Sequence, residues 1–465
     1  MTDAGPTLLL GPVLRHVGRH DATIWVGTDR ACTVEILDHR EPTFEVAGHH
    51  FAVVCVEGLA QGSSTAYDVR LDDTRVWPAP EDPRPSPRIR TFDPDAPLRL
   101  VFGSCRYARP DAVRGNKHFH TDALDAFAKR MATQEESRWP DALLLLGDQV
   151  YADETSPHTQ ARIRQRRPVD EPPGTQVKDF EEYTWLYHES WTDPDVRWLL
   201  STLPSSMIFD DHDIADDWNT SAAWRRDMQA TSWWEDRVVG GLASYWVYQH
   251  IGNLAPQALV KDELYQRVRG SDGDCWPLLR DFAVAADREA DGEKGARWSY
   301  RRDLGPVRLL VIDSRCGRVL ETGHRSMVSE SEFGWIEEQV AGDYDHLLVG
   351  TSLPWLLPRA LHDVEAWNEV LADGARGPLL ARWAESWRRA LDLEHWAAFR
   401  RSFDRLGALF AAVGRQPDPP ATICVLSGDV HHAYAARAQL PDSGRAAVWQ
   451  LTCSPVHNYV PRVMR

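Results

Sequence analysis

Paired cysteines are missing from this chain. Its seven cysteines, at positions 32, 55, 105, 275, 316, 424 and 453, form no CxxC pair and are odd in number, which argues against a disulfide framework and suits a reducing compartment. Long apolar runs are missing too. No stretch approaches ~18 consecutive apolar residues, and "MTDAGPTLLLGPVLRH" lacks a basic segment leading into an uninterrupted apolar one. The expectation is a cytoplasmic chain with no signal peptide and no integral membrane association. Basic surplus is the third absence. With 52 basic against 69 acidic residues the formal charge is −17, which works against a nucleic-acid duplex or an anionic membrane surface as the main partner. An acidic surplus also suits carboxylates gathered around cations. There is no internal repeat, and nothing in the sequence fixes the oligomeric state.

What the 465 residues do contain falls into two patterns, within a length that allows two or three domains. The first ~80 residues carry short alternating runs, "ATIWVG", "CTVEIL", "HFAVVCVEGL" and "STAYDVRL", separated by Gly, Asp and Ser turns; this spacing predicts a small all-β sandwich. The Pro-rich "WPAPEDPRPSPRIRTF" then reads as a linker, so the first unit is placed at 1–95 and the second at 96–465. In the second unit the apolar runs lengthen and each stops at Gly, Asp or Ser: "LRLVFGS", "DALLLLGD", "SSMIFDD", "VRLLVIDS", "HLLVGTS", "TICVLSGD". Such runs predict the buried strands of an α/β domain, whose ligands sit beyond the carboxyl ends of the strands. Two insertions, near 155–300 and 358–415, carry Trp at helical spacing and read as helices that turn aromatic faces into a core.

The residues just past these strands share one chemistry. They are Cys105; Asp148 and Tyr151 in "GDQVYADE"; Asp210, Asp211, His212 and Asp213 in "DDHD"; and Asp429, His431 and His432 in "GDVHH". One acidic strand end is ordinary, because Asp caps turns and helices. Four such ends, all bearing metal-type donors, point to one shared site.

These motifs resemble those of metallophosphoesterases of the purple acid phosphatase type. "GDQVY" resembles their GDxxY block, "DDHD" their GNH block with Asp for Asn, and "GDVH" their GHxH block with Asp for the first His. Those exchanges, together with "GSC", are similar to the PhoD-type alkaline phosphatases, a resemblance that spans most of the chain. It implies an α/β/β/α sandwich of two sheets flanked by helices, preceded by a β-sandwich, and hydrolysis of small-molecule phosphate esters, diesters or monoesters, by a two-metal-activated water. Carried over residue by residue, Asp148 would bridge two metals, Tyr151 and His431 would hold the first, and Asp211 and Asp429 the second; Cys105, by its place beyond a strand end, is expected to join the first. His212 would be the catalytic acid, oriented by Asp213. Where the family supplies a further His, this chain reads "LLVGTSLPW", with Thr351 and Ser352, so the second half is expected to have oxygen donors only.

Thiolate, phenolate, carboxylate and imidazole around one ion suit Fe(III), whereas an oxygen-only half suits Ca²⁺, Mg²⁺ or Mn²⁺. The resemblance implies the same Fe(III) and Ca²⁺ pair, with Zn²⁺ an alternative at the sulfur-bearing half. Ions about 3.5–4 Å apart would activate water for in-line attack on phosphorus. Arg106 and Arg315 follow strand ends and are candidate phosphate clamps. Asp153, Glu154, Asp216 and Asp217 read as caps or as an outer shell, and "ARIRQRR" as a solvated basic run. Two other readings stay open on sequence alone: a non-hydrolytic metal-binding scaffold, and a hydrolase of non-phosphate esters.

Overall fold

The computed structural model describes residues 5–108, 119, 121–291, 296–440 and 444–460. Residues 8–90 form two four-stranded antiparallel sheets and a small strand pair. The first sheet runs in the order Leu8–Val17, Ala22–Thr28, His49–Val56, Phe44–Val46. The second runs His39–Pro42, Thr33–Ile36, Val69–Leu71, Thr74–Trp77. The run predicted over "STAYDVRL" is divided into Ser64–Ala66 and Val69–Leu71, which belong to different sheets.

Leu8–Val17 has no clear alternation, and the structure gives the reason. Leu14, Ile24 and Val54 face the second sheet in one core, while Leu10, Val13, Trp25 and Val53 on the other face join the core of the α/β part. A strand buried on both faces loses the period-2 signal. The fastening is also polar: the buried Arg15 guanidinium donates to Ser205 Oγ at 3.2 Å and to Asn253 Oδ1 at 3.0 Å.

Residues 96–460 are built on two sheets. Leu100–Gly103, Ala142–Leu146 and Ser205–Ile208 are parallel and adjacent. The larger sheet has the order Tyr300–Leu304, Val307–Ile312, His346–Thr351, Thr422–Ser427, Ala447–Thr452, Tyr434–Arg437, antiparallel only at its two edges. Every apolar run singled out in the second unit contains one of these strands, and the carboxyl ends of strands from both sheets meet.

The helices of 155–300 behave as expected, burying Trp198, Trp224, Trp234 and Trp246. Those of 358–415 divide: Trp396 is fully buried as expected, and the others are not. Arg359–Ala372 and Pro378–Ala390 form a hairpin whose Trp367, Trp383 and Trp387 are exposed. Among the described residues, no helix is long and apolar enough to cross a membrane.

Candidate metal centre

Four strand ends converge, and at three of them the backbone turns sharply. Cys105 (φ 59°), Asp148 (φ 51°), Asp429 (φ 66°) and His431 (φ 50°) all sit in the left-handed region. Non-glycine residues pay for that conformation, and such outliers gather at functional sites. The ends are also locked to one another. Cys105 N–H donates to Gly147 O at 3.2 Å, Asp429 N–H to Ser104 Oγ at 3.0 Å, and the Cys105 thiol to Asp429 O at 3.7 Å. Gly428 permits this approach, since a Cβ there would lie 1.9 Å from Ser104 Oγ.

Asp148, Asp211 and His212 bring ligand-type atoms within 4.8 Å of one another, and so do Asp210, Asp211 and Asp429. The two groups share Asp211. Tyr151 O–H donates to Asp148 Oδ2 at 3.2 Å and accepts from Asn458 Nδ2 at 2.9 Å. His431 stands half-buried at the rim, edge-on to Tyr459 with ring centroids 5.9 Å apart.

The electrostatics are those of a site short of positive charge. Burial, with Asp210 and Asp211 nearby and only partly offset by His212, pushes the Asp148 carboxyl well above its ordinary range. Burial and Asp148 push up both the Cys105 thiol and the Tyr151 phenol. Asp148 Oδ1, Asp210 Oδ2, Asp211 Oδ1 and His395 Nε2 are buried without a hydrogen-bond partner. Orphaned buried oxygens are rare and costly. A multivalent cation satisfies several of them together and draws the protons off, so this donor set fits a site for more than one metal ion.

Several expected roles shift. Asp213 does not orient His212: its carboxylate accepts the backbone N–H groups of Asp148 and Asp210, each at 2.9 Å, and of Val150 at 3.3 Å. It shapes two of the strand-end loops instead. His212 Nδ1 is held by Asp153, at 2.9 and 3.0 Å from the two carboxylate oxygens. Although burial opposes the charge, Asp153 and Asp211 raise the His212 pKa well above its ordinary value.

Arg106 is occupied by Asp122 at 2.9 Å and by Ser190 O at 2.7 Å, which leaves it a brace rather than a clamp. Arg315 lies fully buried among Asp210, Glu394, Asp211 at 3.2 Å and Asp429 at 3.5 Å, an internal counter-charge. Asp216 and Asp217 contribute through the backbone: their N–H groups donate to Asp153 at 2.6 Å and to Asp211 at 3.2 Å.

The half expected to carry oxygen donors only has an imidazole beside it. His395 Nε2 lies 3.4 Å from Asp429 Oδ2, and its Nδ1 is held by Glu365 at 2.7 Å. Against the cost of burial, His395 and Arg315 hold the Asp429 carboxyl well below the usual carboxylate range. Thr351, standing where an imidazole was looked for, accepts from Trp396 Nε1 at 3.2 Å and so fixes the residue next to His395. Ser352 shares a hydrogen bond with Ser314 at 2.8 Å. His395 carried no signal in the sequence, because it comes from a helical insertion and not from a strand end.

The model of the PhoD-like phosphatase family matches residues 116–462, and that of a domain of unknown function, DUF7800, matches residues 5–89. No curated protein matches. Among solved structures, one titled as the structure of PhoD superposes with a TM-score of 0.61 at 12% identity, covering 98% of this chain and 78% of that one. A purple acid phosphatase from yellow lupin seeds superposes with a TM-score of 0.51 at 10% identity, covering 98% of this chain and 66% of its own.

Proposed function

Because the chain belongs to the PhoD-like phosphatase family, we propose that its strand-end cluster hydrolyses phosphate esters with metal-activated water. The observation that carries this reading is the set of buried carboxylate oxygens without a hydrogen-bond partner on Asp148, Asp210 and Asp211, of which the Asp211 oxygen is met only by the Arg315 ion pair, where both sheets end. Asp148 would be shared between two ions. Cys105, Tyr151 and His431 would complete the softer half, suited to Fe(III), and Asp211 and Asp429 the harder half, suited to Ca²⁺, with His395 within reach of Asp429. Bound there, the cations would supply an activated water and positive charge for the phosphoryl oxygens.

The protein's own part in the proton economy falls to His212. Asp153 occupies its Nδ1 and favours the charged ring, so Nε2 carries the proton that the departing ester oxygen needs. Arg315 offsets part of the negative charge that Asp211 and Asp429 bring together, since its guanidinium lies 3.2 Å from the one and 3.5 Å from the other, and it helps to hold Asp429 ionised. Phosphodiesters and phosphomonoesters are both substrates under this reading.

Elemental analysis and a visible spectrum of protein produced with iron, together with turnover of a nitrophenyl phosphomonoester and a bis-ester, test the proposal. A charge-transfer band lost in Cys105→Ala or Tyr151→Phe is expected. Two equivalents of zinc in a colourless, fully active enzyme would overturn the metal assignment, and no turnover of either ester by metal-loaded protein would overturn the reaction.

A further inference from the structure

We propose that the helical hairpin of residues 359–391 is a docking element that seats its apolar face in an anionic phospholipid surface. The helix Pro378–Ala390 is inside out. Its buried side chains are Ala384 and Arg388, whereas Leu379, Leu380, Trp383, Trp387 and, just beyond its end, Leu391 are exposed. Helical periodicity puts Leu380, Trp383, Trp387 and Leu391 on one stripe. The neighbouring helix extends it: Leu361, Val364, Trp367 and Val370 are exposed, and the rings of Trp367, Trp383 and Trp387 follow one another at 6.4 and 4.4 Å. Elsewhere in the described chain the exposed large apolar side chains are Leu9, Val260 and Tyr459, far apart in sequence, so the face is concentrated on one hairpin. Contiguous apolar surface of this kind marks an interaction site, and exposed Trp on an amphipathic helix is the side chain suited to the boundary between water and acyl chains.

Charge selects the occupant. The whole chain, at −17, would be repelled by anionic lipid, but that field is screened within about 10 Å and the hairpin reverses it locally. Between 359 and 391 the exposed charges are Arg359, Arg376 and Arg382 against Asp363 alone. Arg382 and Ser386 border the apolar stripe and line a groove of about 430 Å³ that runs to the body of the protein. Five arginines line that groove against three carboxylates. Among them Arg325 and Arg388 are 5% and 3% exposed, with guanidinium nitrogens that have no hydrogen-bond partner. An apolar face beside an arginine-rich groove matches the acyl region and the phosphate headgroups of an anionic lipid layer. At 14 and 13 residues the two helices are too short to span a bilayer and lie in its surface instead.

Flotation of the full chain with vesicles of phosphatidylcholine, alone or mixed with phosphatidylglycerol, tests this. Co-flotation with the mixed vesicles is expected, weakened by about tenfold or more in Trp383→Ser/Trp387→Ser and reduced in Arg382→Glu or at high salt. None of these side chains belongs to the strand-end cluster, so turnover of a soluble ester by the variants should match the parent. Leu379→Ser, at a position 80% exposed, reads the same face without touching the helix packing, should the tryptophan pair fail to fold. Absence of binding, or equal binding to neutral vesicles, overturns the proposal. So does light scattering that finds a dimer which the tryptophan variant splits, because the face would then belong to a second copy of the chain.

Discussion

His212 is held by Asp153 through one ring nitrogen, and that contact sets the proposed proton donor apart from the neighbouring ligand-type carboxylates. Asp153→Asn keeps the shape but removes the charge that favours the imidazolium. Turnover of an ester with a poor leaving group is expected to fall about a hundredfold or more, and that of a nitrophenyl ester much less, with metal content unchanged. Equal losses on both substrates would remove His212 from the acid role. At this scale the sequence marked the donors that follow apolar strands: Asp148, Asp211 and Asp429 stand in the carboxylate clusters, Cys105 and Tyr151 beside them, and His431 at the rim. It was illegible where a donor arrives from elsewhere. Asp153 looks like a turn cap, and "DLEHW" offers nothing to set His395 apart, since the Thr351–Trp396 hydrogen bond that positions it crosses between distant segments. Asp213 misled for a related reason. Adjacency in sequence suggested that it orients His212, whereas its carboxylate points back to three backbone N–H groups.

Strands and helices differ in how openly they announced themselves. Parallel strands buried on both faces gave uninterrupted apolar runs, so the α/β part could be read almost strand by strand. Leu8–Val17 carries no strand signal because its pattern is interrupted by Gly11 and Pro12 and serves two cores at once. The hairpin of 359–391 misleads in the opposite sense, since its Trp spacing is that of a core helix while its tryptophans face outward. Between the elements, Gly428 makes a close approach possible. Gly428→Ala is expected to cost about 1–3 kcal/mol of stability and to weaken metal retention, because the new methyl would displace the Ser104 hydroxyl that receives Asp429 N–H. Denaturant titration and metal analysis of the variant check both, and Ser104→Gly in the same chain should restore part of the stability.

Considered as a whole, the molecule has an N-terminal β region that shares a core with the α/β part through Trp25, Phe51, Trp191 and Tyr248: the Trp25 ring lies with its centroid 5.7, 5.8 and 5.3 Å from those of Phe51, Trp191 and Tyr248. Residues 96–465 produced alone are therefore expected to be aggregated or largely unfolded, as judged by light scattering and near-UV dichroism. The same interior sets an acid limit. Burial lowers His250 from 6.5 to about 4, so the native state holds it neutral. A depressed histidine leaves stability intact above the unfolded value and erodes it as pH falls from 6.5 towards 4, by roughly 3 kcal/mol in all. His250→Phe should flatten that limb in unfolding curves taken across this range.

The convergence of strand ends has a consequence for assembly. Asp210 and Asp211 follow a strand of the smaller sheet and Asp429 follows one of the larger, so a cation held among them would act as a clasp across the seam between the sheets. A half-folded chain has no such grip to offer. Loading at a hundredfold excess over Kd would add about 2.7 kcal/mol to the closed state alone, and a chelator should lower Tm accordingly. The metal content of a preparation is then a census of its correctly closed molecules.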